Sequence, residues 1–388
     1  AVLFIVHLSY HMPPAENGAK KTKEEGYPMS KLKIGIIGCG GIANGKHMPA
    51  LKREAERAEM VAFCDLIPER AQKAAADYGA EGAKVYTDYR ELLSDSSIDV
   101  VHVCTPNRSH CEITVAALEA GKHVMCEKPM AKTAADAERM LEAAKRTGKK
   151  LTIGYQNRFR PDSLLLKSVI ERGDLGEIYL GKANAIRRRA VPTWGVFLNE
   201  YEQGGGPLID IGTHALDLTL WMMNNYEPES VMGQTFRRLA DQKETGNAWG
   251  DWDPEKFTVE DSAFGFIRMK NGAVIELESS WALNTRRSEE ATTTLCGTKA
   301  GADMHDGLWI NRVEWGRQVE IRPNLSAGGV AFYDGAQNSA PESVECHQWL
   351  SAILEDKEPT VLPEQALMVT RILEAIYTSA KTGKPVYF

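Results

Sequence analysis

No stretch of the sequence stays apolar for the roughly 18 residues that a bilayer-spanning helix needs, so no membrane partner is expected. No CxxC pair occurs among the seven cysteines and there is no HExxH. Without either ligand spacing, no metal site is expected. Basic residues are also in deficit. The count of 46 Lys plus Arg against 53 Asp plus Glu leaves a formal charge of −7, which argues against nucleic acid as a partner. The cysteines (Cys39, Cys64, Cys104, Cys111, Cys126, Cys296 and Cys346) form an odd set, mostly among apolar neighbours. That pattern fits free thiols in a reducing, cytoplasmic compartment better than a disulfide framework.

What is present is ample core material. The chain has 388 residues, 43% of them apolar and 26% charged, which suits a folded protein of two domains. Residues 1–28 open on an apolar run, Ala1–Leu8, that lacks a basic leader, and continue rich in Pro, Lys and Glu. They read as an extension outside the fold, with Met29 as the original start.

From Lys31 to about Lys150, short apolar runs alternate with helical periodicity. The predicted strands are Lys33–Gly38, Met60–Asp65, Val100–Thr105 and His123–Glu127, and the helices between and after them include Pro68–Tyr78, Cys111–Ala120 and Thr133–Thr147. Continuous apolar strands alternating with helices specify a parallel α/β sheet buried on both faces, here assigned to residues 29–152. Beyond, over 153–388, the strands lengthen and alternate: Glu177–Arg189, Ser262–Lys270, Ala273–Ser280 and Thr292–Cys296. These predict an α+β domain with a large, mostly antiparallel open sheet, closed by helices at Ser343–Leu354 and Glu364–Lys381. Asn271-Gly272 predicts a type I′ hairpin. The polar stretch Arg237–Lys256, carrying Trp249 and Trp252, reads as a mobile insertion.

The first predicted strand runs into Gly38-Cys39-Gly40-Gly41-Ile42-Ala43, a GxGxxA sequence. Gly38 suits a tight turn, Gly40 lets a pyrophosphate approach the backbone, and Ala43 permits close helix–strand packing, with phosphate on the helix N-terminus. The second strand ends in Asp65, whose carboxylate can accept from an adenosine ribose 2′-hydroxyl and would repel a 2′-phosphate, so the expected cofactor is NAD. The other reading of Asp65 is a turn or helix cap. Two further strand ends fall on the same rim: Thr105-Pro106-Asn107, with His110 close behind to orient the loop or cap a helix, and Glu127-Lys128-Pro129.

Together with Tyr86–Tyr89, Gly173–Ile178, Gly204–His214 and Ala375–Ala380, these motifs resemble the glucose–fructose oxidoreductase / inositol dehydrogenase / rhizopine catabolism family, from Lys31 to Phe388. The resemblance implies a Rossmann domain followed by a largely antiparallel sheet domain, and hydride exchange at a sugar or polyol carbon. It also implies substrate contact for Asp210 and acid–base work for His214, shared with Lys128.

Such chemistry needs a base for the hydroxyl proton and a group that stabilises the developing alkoxide. Lys128, at a strand end beside the cofactor, suits the second role. Asp210 and His214 lie four apart, which on a helix puts both on one face, where the carboxylate can orient the imidazole. Asn157 and Arg158 are expected at the substrate. So are Arg187 and Arg189, which strand alternation sets on one face with Arg188 on the other, and Trp194, a flat surface for a pyranose. The arginines otherwise read as a solvated or subunit-facing run, and Trp194 as core. Lys128 and Arg187–Arg189 make a local cationic cleft that the net −7 hides.

The expected activity is oxidation of a secondary hydroxyl on a sugar, sugar derivative or cyclitol. The alternatives are redox-assisted glycoside cleavage through a 3-keto intermediate with NAD recycled, and a non-catalytic dinucleotide sensor. The second-domain sheet invites a homodimer or homotetramer.

Overall fold

The computed structural model describes residues 31–325 and 340–388. The expected extension 1–28 and Met29 lie outside these. Six parallel strands form the first sheet: β1 (Leu32–Ile37), β2 (Ala58–Cys64), β3 (Lys84–Tyr86), β4 (Val100–Val103), β5 (His123–Cys126) and β6 (Leu151–Ile153), in the order β3-β2-β1-β4-β5-β6. Every residue of β4 and β6 is buried, as helices on both faces require. The strand order reverses between β1 and β4, and ligands on such sheets bind beyond the carboxyl ends at that switch.

The second sheet has nine strands among the described residues. They are β7 (Ile178–Ile186), β8 (Pro228–Phe236), β9 (Ser262–Met269), β10 (Val274–Ser280), β11 (Glu289–Gly297), β12 (Ala300–Asp303), β13 (Trp309–Glu314), β14 (Arg317–Ile321) and β15 (Val386–Tyr387). Their order is β14-β13-β12-β11-β7-β10-β9-β8-β15, with β7 and β10 parallel and the other pairs antiparallel. Helices Thr213–Met223 and Pro363–Thr382 cover one face, where Leu216, Leu220, Ile372 and Ile376 share a core with Ala183, Ile267 and Leu277. The opposite face carries Lys182, Glu276, Phe266 and Met232 in register, with Phe266 48% and Met232 45% exposed.

Two local expectations change. The Asn271-Gly272 hairpin forms, but only Gly272 has positive φ (86°). Gly272 N–H donates to Met269 O and Met269 N–H to Ala273 O, so the loop is a type I turn closed by a left-handed glycine rather than type I′. The closing helix Pro341–Leu354 also does not stay with the second sheet. Its Cys346, Trp349 and Leu350 belong to the first sheet's core, with Ile34, Met48 and Leu51. That arrangement crosses the expected 152/153 division, because the apolar stripe of this helix finds its partner on the first domain. No helix among the described residues is long and apolar enough to cross a membrane, and all seven cysteines are free thiols.

Candidate active site

The turn after β1 is fixed by sterics. Gly38 has φ of 90°, and a Cβ there would stand 2.6 Å from the Cys104 carbonyl, so only glycine fits the contact with β4. Gly40 and Gly41 face open space, with nothing within 4 Å of an added Cβ. Ile42 is exposed, while Ala43 is fully buried and opens a π-helical turn, Ala43–His47. The turn is thus a concave backbone cradle over a helix start. Asp65 borders it, accepting from Cys39 N–H at 2.8 Å and Ile67 N–H at 2.9 Å. Both readings of Asp65 therefore meet in one residue: it caps a turn and presents a carboxylate at the cradle.

At the next strand end, the Thr105 hydroxyl is buried without a hydrogen-bond partner among the described residues, an unused acceptor and donor near the switch point. Asn107 donates across to Gln203 O at 3.0 Å, tying this loop to the Gly204–Gly206 segment. His110, expected at the cofactor, is fully buried instead. Its ring nitrogens lie 2.8 and 2.9 Å from the carbonyls of Pro129 and Thr105, so it pins two loops together. Glu127 is likewise withdrawn. One oxygen accepts from Lys46 (2.7 Å) and pairs with His47 (2.8 Å), and the other accepts Lys128 N–H. Burial disfavours its charge, yet Lys46 and His47 overcome that and hold the carboxyl well below the usual range. Its place is underneath the site, fixing the Lys128–Pro129 turn, whose peptide bond is cis.

Lys128 is where the domains meet. Its Nζ donates to the Asp210 backbone O at 2.8 Å and to Asp210 Oδ1 at 2.9 Å, with 18% of the Lys128 side chain exposed. The other Asp210 oxygen accepts from Trp281 Nε1 at 3.0 Å. Burial raises the cost of the Asp210 charge, but Lys128, Arg187 and the indole N–H together hold its carboxyl below the ordinary value.

The expected Asp210–His214 hydrogen bond does not form: the Asp210 oxygens accept from Lys128 and Trp281 instead. Leu208–Gly212 is a π-helical turn leading into Thr213–Met223, so Asp210 and His214 do not share the single α-helix that the spacing assumed. His214 packs edge-on against Tyr155, and its Nδ1 is buried without a hydrogen-bond partner among the described residues, leaving Nε2 as the nitrogen a substrate can meet. Burial, helped by Lys128, lowers the His214 pKa to about 3. The ring is neutral and able to accept a proton bond at neutral pH.

The Gly204–Gly206 segment that delivers Asp210 and His214 is clamped from behind. Glu260 accepts from Gly206 N–H (2.8 Å), Leu208 N–H (3.1 Å) and the Tyr377 hydroxyl (2.8 Å). A Cβ on Gly205 would lie 2.0 Å from that hydroxyl. Burial raises the carboxyl pKa to about 7 both at Glu260 and at Glu345, the latter within 3.0 Å of Lys46. A carboxyl raised on folding adds stability when protonated. That contribution is complete below the ordinary glutamate range and lost as pH climbs through about 7. Thermal unfolding is therefore expected at a lower temperature at about pH 8 than at about pH 6.5, with Glu260→Gln reducing the difference. A melting temperature that does not fall over that interval would refute this.

The arginines separate. β7 ends at Ile186, so strand alternation no longer applies to 187–189. Arg187 reaches inward, pairing bidentately with Glu290 and standing 5.3 Å over the Trp249 ring. Arg189 turns onto the 237–256 segment, donating to Thr245 O, and shares a pocket with Arg188 rather than with Arg187. That segment is anchored rather than loose. Trp252 is buried and donates to Ala240 O, Asn247 bonds both N–H and O of Val191, and Ala248 N–H donates to Arg189 O.

Trp194 is 53% exposed and packs edge-on to Trp249 at 4.9 Å. With Phe197, which touches both Trp194 and Trp281, it makes an aromatic wall running to Asp210. Asn157 is half-buried. Arg158 is a correction: it is fully buried, paired with Asp217 at 2.6 Å, and bonded to Thr360 O and Gln365. It cannot meet a substrate. Sequence reasoning missed Trp281 and Trp249. Trp281 directly follows a predicted strand that ends at the rim, and that position was the available signal.

An open glycine cradle, a carboxylate beside it, an unpartnered hydroxyl at the switch point and a Lys–Asp pair at the crevice define a dinucleotide-linked oxidoreductase. The residues present fit such a cofactor: the backbone at Gly40 and Gly41 is open to a pyrophosphate, and Asp65 presents a carboxylate beside it.

Two family models match, described as oxidoreductase family, NAD-binding Rossmann fold (residues 32–155) and oxidoreductase family, C-terminal alpha/beta domain (residues 167–388). The chain belongs to this glucose–fructose oxidoreductase / inositol dehydrogenase / rhizopine catabolism family, and its first domain is an NAD-binding Rossmann domain. It is 43% identical over 357 residues to D-glucoside 3-dehydrogenase of Escherichia coli, covering 92% of this chain and 97% of that one. It is 30% identical to inositol 2-dehydrogenase 2 of Saccharopolyspora erythraea, covering 91% and 94%. Among solved structures it resembles the aldose-aldose oxidoreductase of Caulobacter crescentus in complex with glycerol. The TM-score is 0.75 at 27% identity, with 92% of this chain and 100% of that one covered.

Proposed function

We propose that this protein oxidises the C3 hydroxyl of a D-glucoside with NAD. The observation that carries the reading is the Lys128–Asp210 pair at the switch-point crevice, with His214 beside it, in a chain similar over nearly its whole length to a D-glucoside 3-dehydrogenase.

Bound in the cradle, NAD supplies the hydride acceptor. The substrate hydroxyl sits between Lys128 Nζ and His214 Nε2. The Lys128 ammonium, aimed by Asp210, stabilises negative charge on the substrate oxygen in a partly dehydrated site. His214, neutral at working pH, accepts the hydroxyl's hydrogen bond at Nε2, and the hydroxyl proton leaves as hydride leaves the same carbon, so that a ketone, a proton and reduced NAD result. Trp281 holds Asp210 in place for Lys128. Trp194 and Trp249 offer apolar surface to the pyranose. The free thiols suit a reducing cytoplasm, and the row Met232–Phe266–Glu276–Lys182 suits a second copy of the chain packed on the open sheet face.

The test is NADH formation, read as absorbance, with purified protein, NAD and a panel of glucosides and cyclitols, followed by mapping the new carbonyl. A 3-keto glucoside with stoichiometric NADH is expected. Sugar release without net NADH would replace this reading by redox-assisted cleavage. Turnover of cyclitols alone would exclude the glucoside.

A further inference from the structure

Beyond Arg187, the chain builds a feature that the hydride chemistry does not use. The extensions of the parallel strands β7 and β10 stay paired past their ends, with Arg187 N–H on Ser280 O and Leu283 N–H on Arg188 O. Between these extensions and the 237–256 segment lies a pocket of about 470 Å³, lined by Arg188, Arg189, Arg286, Asn284, Thr245 and Thr285, among others.

The guanidiniums of Arg188, Arg189 and Arg286 make no ion pair with any described residue. Arg189 spends its donors on neutral acceptors only: Thr245 O, Arg188 O and the Asn284 amide oxygen. Their immediate neighbours are neutralised, Arg187 by Glu290 and Arg287 by Glu289. The nearby carboxylate of Asp251 is engaged with the Thr245 hydroxyl. In a chain of net charge −7, three cations gathered around one concavity without a carboxylate among the lining residues is the opposite of what charge balance favours. A planar guanidinium fork matches an oxyanion bidentately. The pocket begins at Arg188, the residue after Arg187, whose charge bears on Asp210.

We infer that this pocket binds an oxyanion, and that its position beside the crevice makes it a phosphate, sulfate or carboxylate carried by the substrate on its aglycone or C6. The inference rests on the glucoside reading above for the identity of the sugar, but not for the anion.

The test compares kcat/KM for methyl β-D-glucoside with that for methyl β-D-glucoside 6-phosphate, its 6-sulfate and a carboxyphenyl glucoside, at low and high salt, in the wild type and in the Arg188→Gln/Arg286→Gln variant. At low salt a preference of roughly 10–100-fold for at least one anionic glucoside is expected. It should shrink with salt and fall to a ratio of about one in the variant. Equal kcat/KM for anionic and neutral glucosides in the wild type overturns the substrate assignment. Inorganic phosphate added to the neutral reaction separates the other source: an arginine-dependent change in that turnover would assign the pocket to a free anion instead. If no glucoside is oxidised, the functional reading has failed. Calorimetric titration of inorganic phosphate then decides the pocket alone: binding by the wild type and not by the variant supports an oxyanion site, and no binding by either overturns it.

Discussion

Lys128→Ala is expected to lower turnover by about 10²–10⁴-fold while leaving the dissociation constant for NAD nearly unchanged. The asymmetry follows from geometry. Lys128 Nζ is held by the Asp210 backbone and carboxylate across the domain crevice, whereas the cofactor's expected contacts, at Gly40, Gly41, Asp65 and Thr105, are made elsewhere on the rim and do not involve the ammonium. Removing the ammonium also leaves Asp210 with only Arg187 and Trp281 to stabilise its charge, so its carboxyl becomes easier to protonate. Steady-state NADH formation at saturating glucoside, together with NAD titration by protein fluorescence, checks both halves. Wild-type turnover in the variant would remove Lys128 from the mechanism. A large loss of NAD affinity would make it a cofactor ligand instead.

Arg158→Met should act in the opposite manner, through stability rather than through the substrate. Arg158 and Asp217 are both essentially inaccessible, 0% and 1% exposed, and the guanidinium also stands over Trp221. Deleting one partner strands a buried charge, at a cost of about 3–5 kcal/mol. Denaturant or thermal unfolding should show that loss, and Arg158→Met combined with Asp217→Leu should recover much of it, because replacing both members removes the unpaired charge. A variant that keeps its stability but raises KM for the glucoside would return Arg158 to the substrate site.

The two cases mark what the sequence makes legible. The parallel strands, the glycine turn and the Lys128 strand end are local signals: short apolar runs, a fixed spacing, a residue at the edge of a run. For that reason the predicted boundaries of β1, β2, β4 and β5 fall within a few residues of the observed ones. Arg158 reads as a ligand contact because it is a charged residue in a polar-looking stretch, whereas its partner Asp217 lies 59 positions away, inside the helix Thr213–Met223. The spacing of Asp210 and His214 predicts one α-helical face, whereas Asp210 lies on a π turn and His214 on the helix after it. Trp281, Glu260 and Tyr377 shape the catalytic segment through contacts with Asp210 and with Gly205, Gly206 and Leu208, residues distant in sequence, and nothing in their immediate neighbours announces it. The arginine triplet reads as one strand with Arg187 and Arg189 on one face, whereas β7 ends at Ile186, Arg187 pairs with Glu290, and Arg188 and Arg189 line the pocket beyond it.

The helix Pro341–Leu354 constrains how this chain can be recombined. Its Trp349 and Leu350 complete the apolar core under the glycine turn, and its Glu345 meets Lys46 behind the Lys128 loop. A chimera that exchanges the cofactor half at a crossover near residue 152 would therefore inherit a mismatched patch unless this late segment travels with it. Domain shuffling in this architecture needs three crossovers rather than one, the last two bracketing a helix that is remote in sequence from the half it serves.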